Sequence, residues 1–378
     1  MGNFIQLLAD NISLVAAADT WIEGNAIQQL QTTAKLPAMV KVVGMPDLHP
    51  GRGYPIGAAF FSVGHFYPAL VGGDIGCGMS LWQTDLKSVG VNLDKLEKRL
   101  GYIDRPLTNE ESEHLWPEIS AIVEDSYAPG TIGAGNHFAE LQLLDKVFDE
   151  STATSLGLTK KYLQLLVHSG SRGLGGSILA SHINSYGHKG LVEDTPEAYN
   201  YLAKHDNAIA YALQNRELIS RRILKNLRAK GNKLIDITHN FIEKTSIKGV
   251  VGWLHRKGAA PANRGLVVIP GSRGDYSYLA EPLNMELALC SLAHGAGRKW
   301  MRSECKGRLS ANYPASQLTR TSLGSRVICS DKELLYEEAP QAYKSIETVI
   351  ESMVGTHLIK PVARLKPLIT YKTQWEDN

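Results

Sequence analysis

The 378-residue chain carries 40 Lys and Arg against 38 Asp and Glu, a formal charge of +2, with 43% hydrophobic residues. This balance excludes a bulk-basic nucleic-acid coat and leaves a local basic pocket as the place for any polyanion. The four cysteines, Cys77, Cys290, Cys305 and Cys329, make neither a C-x-x-C pair nor a secreted disulfide pattern.

The N-terminal stretch has no basic start followed by a long apolar run, so no signal peptide is expected, and no run is long enough for a transmembrane helix. A reducing, cytoplasmic setting is the expectation. Val40–Val43 reads as a strand entering Met45-Pro46-Asp47-Leu48-His49-Pro50-Gly51. Glycines crowd Asp74 and Cys77 in Gly72-Gly73-Asp74-Ile75-Gly76-Cys77-Gly78, which predicts a tight loop with converging side chains. Leu163–Val167 and Leu266–Ile269 read as short buried strands, each followed by Gly-Ser-Arg-Gly. Residues 197–230 have helical spacing at Ile209, Ala212, Leu213, Ile219, Ile223 and Leu227, with Gly231 as the stop. Leu283–Ala293 is apolar enough for a buried helix. The class is mixed α and β, with chemistry on the loops.

Histidines recur in polar or glycine-rich settings: His49, His137, His168, His239, His255 and His294. Together with Asp74 and Cys77, the set Asp74, Cys77, His137, His168 and His239 suits one or two transition-metal ions, and thiolate with imidazole points first to zinc. The two Gly-Ser-Arg-Gly strings, around Arg172 and Arg273, combine backbone N–H groups, hydroxyls and guanidinium in the manner of anion cradles. The clusters His255-Arg256-Lys257 and Arg298-Lys299-Trp300-Met301-Arg302, taken alone, read as solvated charge. His294 lies among small residues with Arg298 four positions on, an arrangement for a nucleophile toward phosphorus or for a general base.

The strings MPDLHPGRGYPIG (45–57), GGDIGCGM (72–79), GNHFAE (135–140), HSGSRGLG (168–175), HNFIE (239–243), HRKGA (255–259), IPGSRGDYSY (269–278), HGAGR (294–298), EAPQAYK (338–344) and RLKPLITYK (364–372) together closely resemble the RtcB family of RNA-splicing ligases. The resemblance runs nearly end to end. It implies a single catalytic domain over 1–378, with central mixed β-sheets, surrounding helices and a deep metal-containing cleft.

The resemblance also implies an activity: a GTP- and Mn²⁺-dependent RNA ligase. Such an enzyme joins a 2′,3′-cyclic phosphate or 3′-phosphate end to a 5′-hydroxyl end through a histidine–GMP intermediate on His294. One of two Mn²⁺ ions would take Cys77, His168 and His239; the other would take Asp74, Cys77 and His137, the thiolate bridging. Asn136, Glu140, Ser272, Ser277, Arg298, Tyr343 and Lys372 match positions that hold the nucleotide. Arg172, Lys257, Arg298 and Arg302 match contacts to phosphate or RNA. A helper protein for turnover is left open, and the alternative activity is a metal-dependent cyclic phosphodiesterase without ligation. Where the family commonly has G-S-M-G-T-x-S-Y, this chain has Gly271-Ser272-Arg273-Gly274-Asp275-Tyr276-Ser277-Tyr278. Arg273 and Asp275 are therefore expected to add charge beside the nucleotide pocket, as in a specialised RNA-repair member.

Overall fold

The computed structural model describes residues 4–105, 107, 111 and 128–374. Two large sheets organise the chain. The first has six strands in the order Ile5–Ala9, Ile12–Val15, Met39–His49, Ile56–Ser62, Val250–Lys257 and Asn240–Ile247. The second runs Gly231–Thr238, Gly78–Lys87, Tyr162–Ser169, Phe138–Val147, Ile359–Thr373, Ser277–Pro282 and Val267–Pro270, with Arg326–Cys329 also paired to Ile359–Thr373. Pairing is mixed: Ile12–Val15 with Met39–His49 and Arg326–Cys329 with Ile359–Thr373 are parallel, and the other strand pairs in the two sheets are antiparallel.

The period-two pattern of the strands distributes the core. Along Tyr162–Ser169, Leu166 enters a cluster with Val43, Met45, Phe61 and Leu81, so the two sheets share one apolar layer. Leu163, Leu165 and Val167 point the other way, onto the helix Pro196–Leu227 through Ile219, Ile223 and Leu227. Each of those three helix residues is fully buried, worth roughly 1.5–3 kcal/mol of transfer free energy. Among the described residues, no helix is long and apolar enough to cross a membrane.

The helix read at 197–230 spans Pro196–Leu227, with the Thr195 hydroxyl accepting from the Ala198 N–H and Pro196 in the first turn. Its stop is Arg228 in the left-handed region, not Gly231, which instead opens the strand Gly231–Thr238. The strand read at 40–43 runs from Met39 through His49, so Asp47 and His49 are strand residues.

The buried helix expected over Leu283–Ala293 does not form. Met285–Ala288 is a single 3₁₀ turn and Ser291–Ala293 is a strand. Leu289 and Cys290 both have positive φ, which no continuing helix tolerates, and Leu283, Met285 and Leu287 are largely exposed.

Candidate functional site

The register of the eight-stranded sheet gathers the predicted ligands at one end of it. Gly78 pairs with both Thr238 and Ser169, Met79 with His168, and Phe138 with His168. Cys77 therefore precedes one strand, His239 follows its neighbour, His168 ends the next and His137 precedes the fourth. Four residues from distant parts of the sequence fall at one sheet edge because the β-ladder is in register there.

The Gly72–Gly78 segment is the tight loop expected. Gly76 has φ +81°, and a Cβ there would lie 2.6 Å from Ala212 Cβ on the long helix. Arg216 of that helix is fully buried and clamps the loop: its Nη1 donates to Gly76 O at 2.7 Å and Ser169 O at 3.0 Å, and its Nε to Asp236 Oδ1 at 2.8 Å. Composition alone did not point to Arg216, because a mid-helix arginine carries no signal of burial.

Two donor triads result, Cys77–His168–His239 and Asp74–Cys77–His137, each with its ligand atoms within 4.8 Å of one another. Cys77 Sγ lies 3.1 Å from His168 Nε2 and 3.3 Å from His137 Nε2. His168 Nε2 lies 3.3 Å from His239 Nε2, and His137 Nε2 lies 3.1 Å from Asp74 Oδ2. Such spacings are those of atoms sharing a cation about 2.0–2.3 Å away. Burial holds His168 and His239 well below the usual imidazole range, so both are neutral ligands. The Nδ1–H of His168 donates to Asn136 O at 3.1 Å, which turns its Nε2 lone pair toward Cys77.

Burial, then the Asp74 carboxylate, pushes the Cys77 thiol well above its usual range. A divalent cation would supply the missing positive charge and release that proton. Low-dielectric surroundings oppose the charge on Asp74, but His137 beside it holds the carboxyl below its ordinary range. Three imidazoles, a thiol shared by both triads and one carboxylate fit a pair of transition-metal ions.

Beside this centre stands His294. Its Nδ1–H donates to Asp47 Oδ2 at 2.7 Å, and the same oxygen accepts from the His294 backbone N–H at 3.2 Å. Asp47 is fully buried. The carboxylate fixes the tautomer and leaves Nε2 of His294 as the lone-pair nitrogen. The rings of His294 and His239 meet edge to face at 4.8 Å. Gly297, at φ +71°, lets the HGAGR turn cross Asp47, where a Cβ would come within 2.2 Å of Asp47 O. Asp47 is a functional residue that sequence reasoning missed. It lies 247 positions from its partner, and the only signal was its place in a motif with His49.

All of this opens onto one cavity of about 1230 Å³. Asp74, Cys77, Asn136, Glu140, His168, His239, Lys257, Ser272, His294, Arg298, Arg302, Tyr343 and Lys372 are on its wall. His137, in contact with Asp74, and two other predicted residues are not part of that wall. Arg172, at φ +57°, donates from Nε to Thr131 Oγ1 at 3.2 Å. Ser277 lies beneath Glu140: Gln142 Nε2 donates to both, at 2.9 Å and 2.7 Å.

Glu338, on the cavity wall, is the hub that sequence reasoning also missed. Arg298 Nη1 and Tyr343 Oη bond it at 3.0 Å and 2.5 Å, and Lys372 Nζ lies at 3.6 Å. Burial opposes its charge, but Lys372, Arg298 and Arg302 bring it down to about 2. Arg298 is saturated by protein partners: Nε to Trp300 O, Nη1 also to Tyr343 Oη, and Nη2 to Glu337 O and Cys305 Sγ. Arg302, more exposed, makes ion pairs of 3.8 Å with Glu337 and Glu338 and no shorter one among the described residues. Burial raises Glu140 to about 7 and lowers Lys372 and Lys257 to about 8.

The reading of 255–257 and 298–302 as solvated charge is corrected in part. Arg256 is fully buried in an ion pair with Glu243, and Lys257 and Arg298 are buried in the cavity wall. His255 is buried as well and structural, its Nε2 accepting from Tyr67 N and its Nδ1 donating to Phe60 O. The extra charge expected from 273 and 275 is half present. Arg273 lies in the wall with Nη2 donating to Leu335 O, whereas Asp275 is spent on the backbone N–H groups of Tyr276 and Ile346.

A family profile described as tRNA-splicing ligase RtcB matches residues 29–121 and 110–373. RNA-splicing ligase RtcB2 of Escherichia coli is 57% identical over 372 residues, covering 98% of this chain and 98% of that protein. tRNA-splicing ligase RtcB of Nanoarchaeum equitans is 30% identical over 440 aligned positions, covering 93% of this chain and 92% of that one. RNA-splicing ligase RtcB1 of Escherichia coli is 28% identical, with coverage of 93% and 95%.

Proposed function

The chain belongs to the RtcB family of RNA ligases, and from that premise we propose that it joins RNA 2′,3′-cyclic phosphate or 3′-phosphate ends to 5′-hydroxyl ends at the expense of GTP. The whole chain acts as one catalytic unit. The observation that carries the reading is His294, held by the buried Asp47 carboxylate, lining the same cavity as Asp74, Cys77, His168 and His239. A buried carboxylate on Nδ1–H presents His294 Nε2 as a nucleophile toward phosphorus, and a covalent GMP label separates that role from the general-base role the same imidazole would have in a hydrolase.

In this reading His294 Nε2 attacks the α-phosphorus of GTP, forming the N–P bond as pyrophosphate leaves. Asp47 offsets the positive charge that the substituted imidazole acquires. Two Mn²⁺ ions, held by Cys77, His168 and His239 and by Asp74, Cys77 and His137, would polarise phosphoryl oxygens and offset their charge. Lys372, Tyr343, Ser272 and Glu140 hold the nucleotide, with Glu338 anchoring Tyr343 and Lys372. Water opens a 2′,3′-cyclic phosphate end, its oxygen joining phosphorus as the P–O2′ bond breaks to leave a 3′-phosphate, and GMP then passes from His294 to that RNA 3′-phosphate. The 5′-hydroxyl of the second strand attacks that phosphorus and GMP leaves. Asn136, Lys257 and Arg302 provide donors along the wall for the phosphate groups.

The test is a joining assay. RNA with a 2′,3′-cyclic phosphate end and RNA with a 5′-hydroxyl end are incubated with the protein, Mn²⁺ and GTP. The expected result is a joined product that requires both GTP and Mn²⁺ and is absent with His294→Ala. Cyclic-phosphate opening with no joining under any nucleotide and metal would establish the hydrolase instead.

A further inference from the structure

Asp47 holds two imidazoles, and the proposed reaction so far uses one. Its side-chain carboxylate orients His294, while its backbone carbonyl accepts the Nδ1–H of His49 at 2.8 Å. A carbonyl oxygen can only accept, so Nδ1 of His49 carries the proton and Nε2 is a bare lone pair. His49 is 7% exposed and lies on the cavity wall, and among the described residues no protein group bonds its Nε2. A nine-tenths-buried imidazole with its acceptor nitrogen unmet is a group prepared for a ligand's donor.

Its position relative to the nucleophile follows from the strand register. His49 pairs with Ile56, and a Cβ at Gly258 would touch both Ile56 Cγ2 (2.6 Å) and His294 Cε1 (2.8 Å). His49 and His294 thus flank the same small neighbourhood of Ile56 and Gly258. Beyond His49 the chain continues through Arg52 to Tyr54, whose carbonyl accepts from Lys257 Nζ at 3.2 Å. Tyr54, Lys257 and His188 line this part of the cavity. The turn is held rigidly: Gln29 Nε2 donates to Gly51 O at 2.9 Å and Gln29 Oε1 accepts from Gly51 N at 3.1 Å.

We propose that His49 Nε2 accepts the hydrogen bond of the incoming strand's 5′-hydroxyl, orienting that oxygen toward the activated 3′-phosphate and selecting hydroxyl over phosphate at the 5′ end. The proposal rests on the ligase reading above. A hydroxyl carries the donor that a bare lone pair needs. A 5′-phosphate presents only acceptors at neutral pH and meets lone pair with lone pair. Burial, the largest influence on it, lowers the His49 imidazole to about 3, so it remains the acceptor throughout the working range.

The test separates the steps with His49→Phe, which keeps a ring but no acceptor, and His49→Gln, which restores one. Protein labelling by α-labelled GTP is measured first, then single-turnover joining of preactivated 3′-end RNA against the concentration of the 5′-hydroxyl strand. His49→Phe is expected to slow joining about 100-fold, the cost of a misplaced nucleophile, and to slow labelling by far less. His49→Gln is expected to recover most of the joining rate. A 5′-phosphate oligonucleotide should compete poorly with the native protein. Three results would overturn the proposal: joining by His49→Phe within threefold of native, equal loss of labelling and joining, or loss confined to cyclic-phosphate opening. Failure of the native protein to label at all would instead overturn the ligase reading on which the proposal stands.

Discussion

Asp47→Asn removes a charge from the His294 site while keeping its shape. The carboxylate lies fully buried with Oδ2 2.7 Å from His294 Nδ1. When Nε2 bonds to phosphorus the imidazole becomes cationic. At a separation of about 4–5 Å and an effective dielectric of about 20, the carboxylate stabilises that cation by roughly 3–4 kcal/mol. Losing it corresponds to a fall of about 100- to 1,000-fold in the rate of label transfer from GTP to the protein. The amide can also present its NH₂ to Nδ1, which moves the ring proton to Nε2 and blocks the nucleophile. That tautomer loss takes the total toward ~10⁴-fold, the scale seen when an orienting carboxylate is replaced in a Ser-His-Asp triad. The assay is single-turnover labelling by α-labelled GTP in Mn²⁺, with metal content and melting temperature as controls for fold. A labelling rate within threefold of native, in a variant of native metal content, would refute the role given to Asp47.

Cys77→Ala takes one donor from both triads, so protein-bound metal should drop on elemental analysis from two ions and labelling and joining should both fall at least 100-fold; activity near native would refute the shared thiolate. Stripping metal with chelator should lower the melting temperature, and returning cation at about 100 times its dissociation constant should restore roughly 2.7 kcal/mol of stability, as calorimetry would show. An unchanged melting curve would count against a built metal centre. Lys372, brought down to about 8 by burial, is charged below that pH and neutral above it, so GTP affinity should be highest below pH 8 and weaken by up to about tenfold toward pH 9. Lys372→Met should weaken GTP binding at pH 7 and flatten that profile in fluorescence titration; an unchanged affinity would remove Lys372 from the nucleotide pocket.

What could be read from the sequence divides along physical lines. The Gly72–Gly78 loop was legible because glycine spacing around Asp74 and Cys77 has few other uses, and His168 because it comes at the end of an apolar run that folds as a neighbouring strand. The helix Pro196–Leu227 was legible from its period, but its end was not, because Arg228 takes the left-handed cap that glycine usually supplies. The apolar run 283–293 misled because composition cannot register two successive positive φ values at Leu289 and Cys290. Burial of Arg216, Arg256 and Lys257 was equally invisible, since the groups that accept their protons, Asp236, Glu243 and the Tyr54 carbonyl, are brought to them only by the folded sheets and loops. Asp47 and Glu338 were missed for that reason too: each acts only through side chains that the fold delivers.

A covalent bond from His294 Nε2 to phosphorus is the feature of the proposed chemistry most open to direct measurement. The protein should be incubated with Mn²⁺ and GTP, digested under alkaline conditions that preserve phosphoramidates, and the peptide containing His294 examined by mass spectrometry. The account predicts a GMP adduct on His294, lost on acid treatment and absent from His294→Ala. An adduct on a lysine or on another histidine, or joined RNA from a protein that never carries GMP, would contradict it.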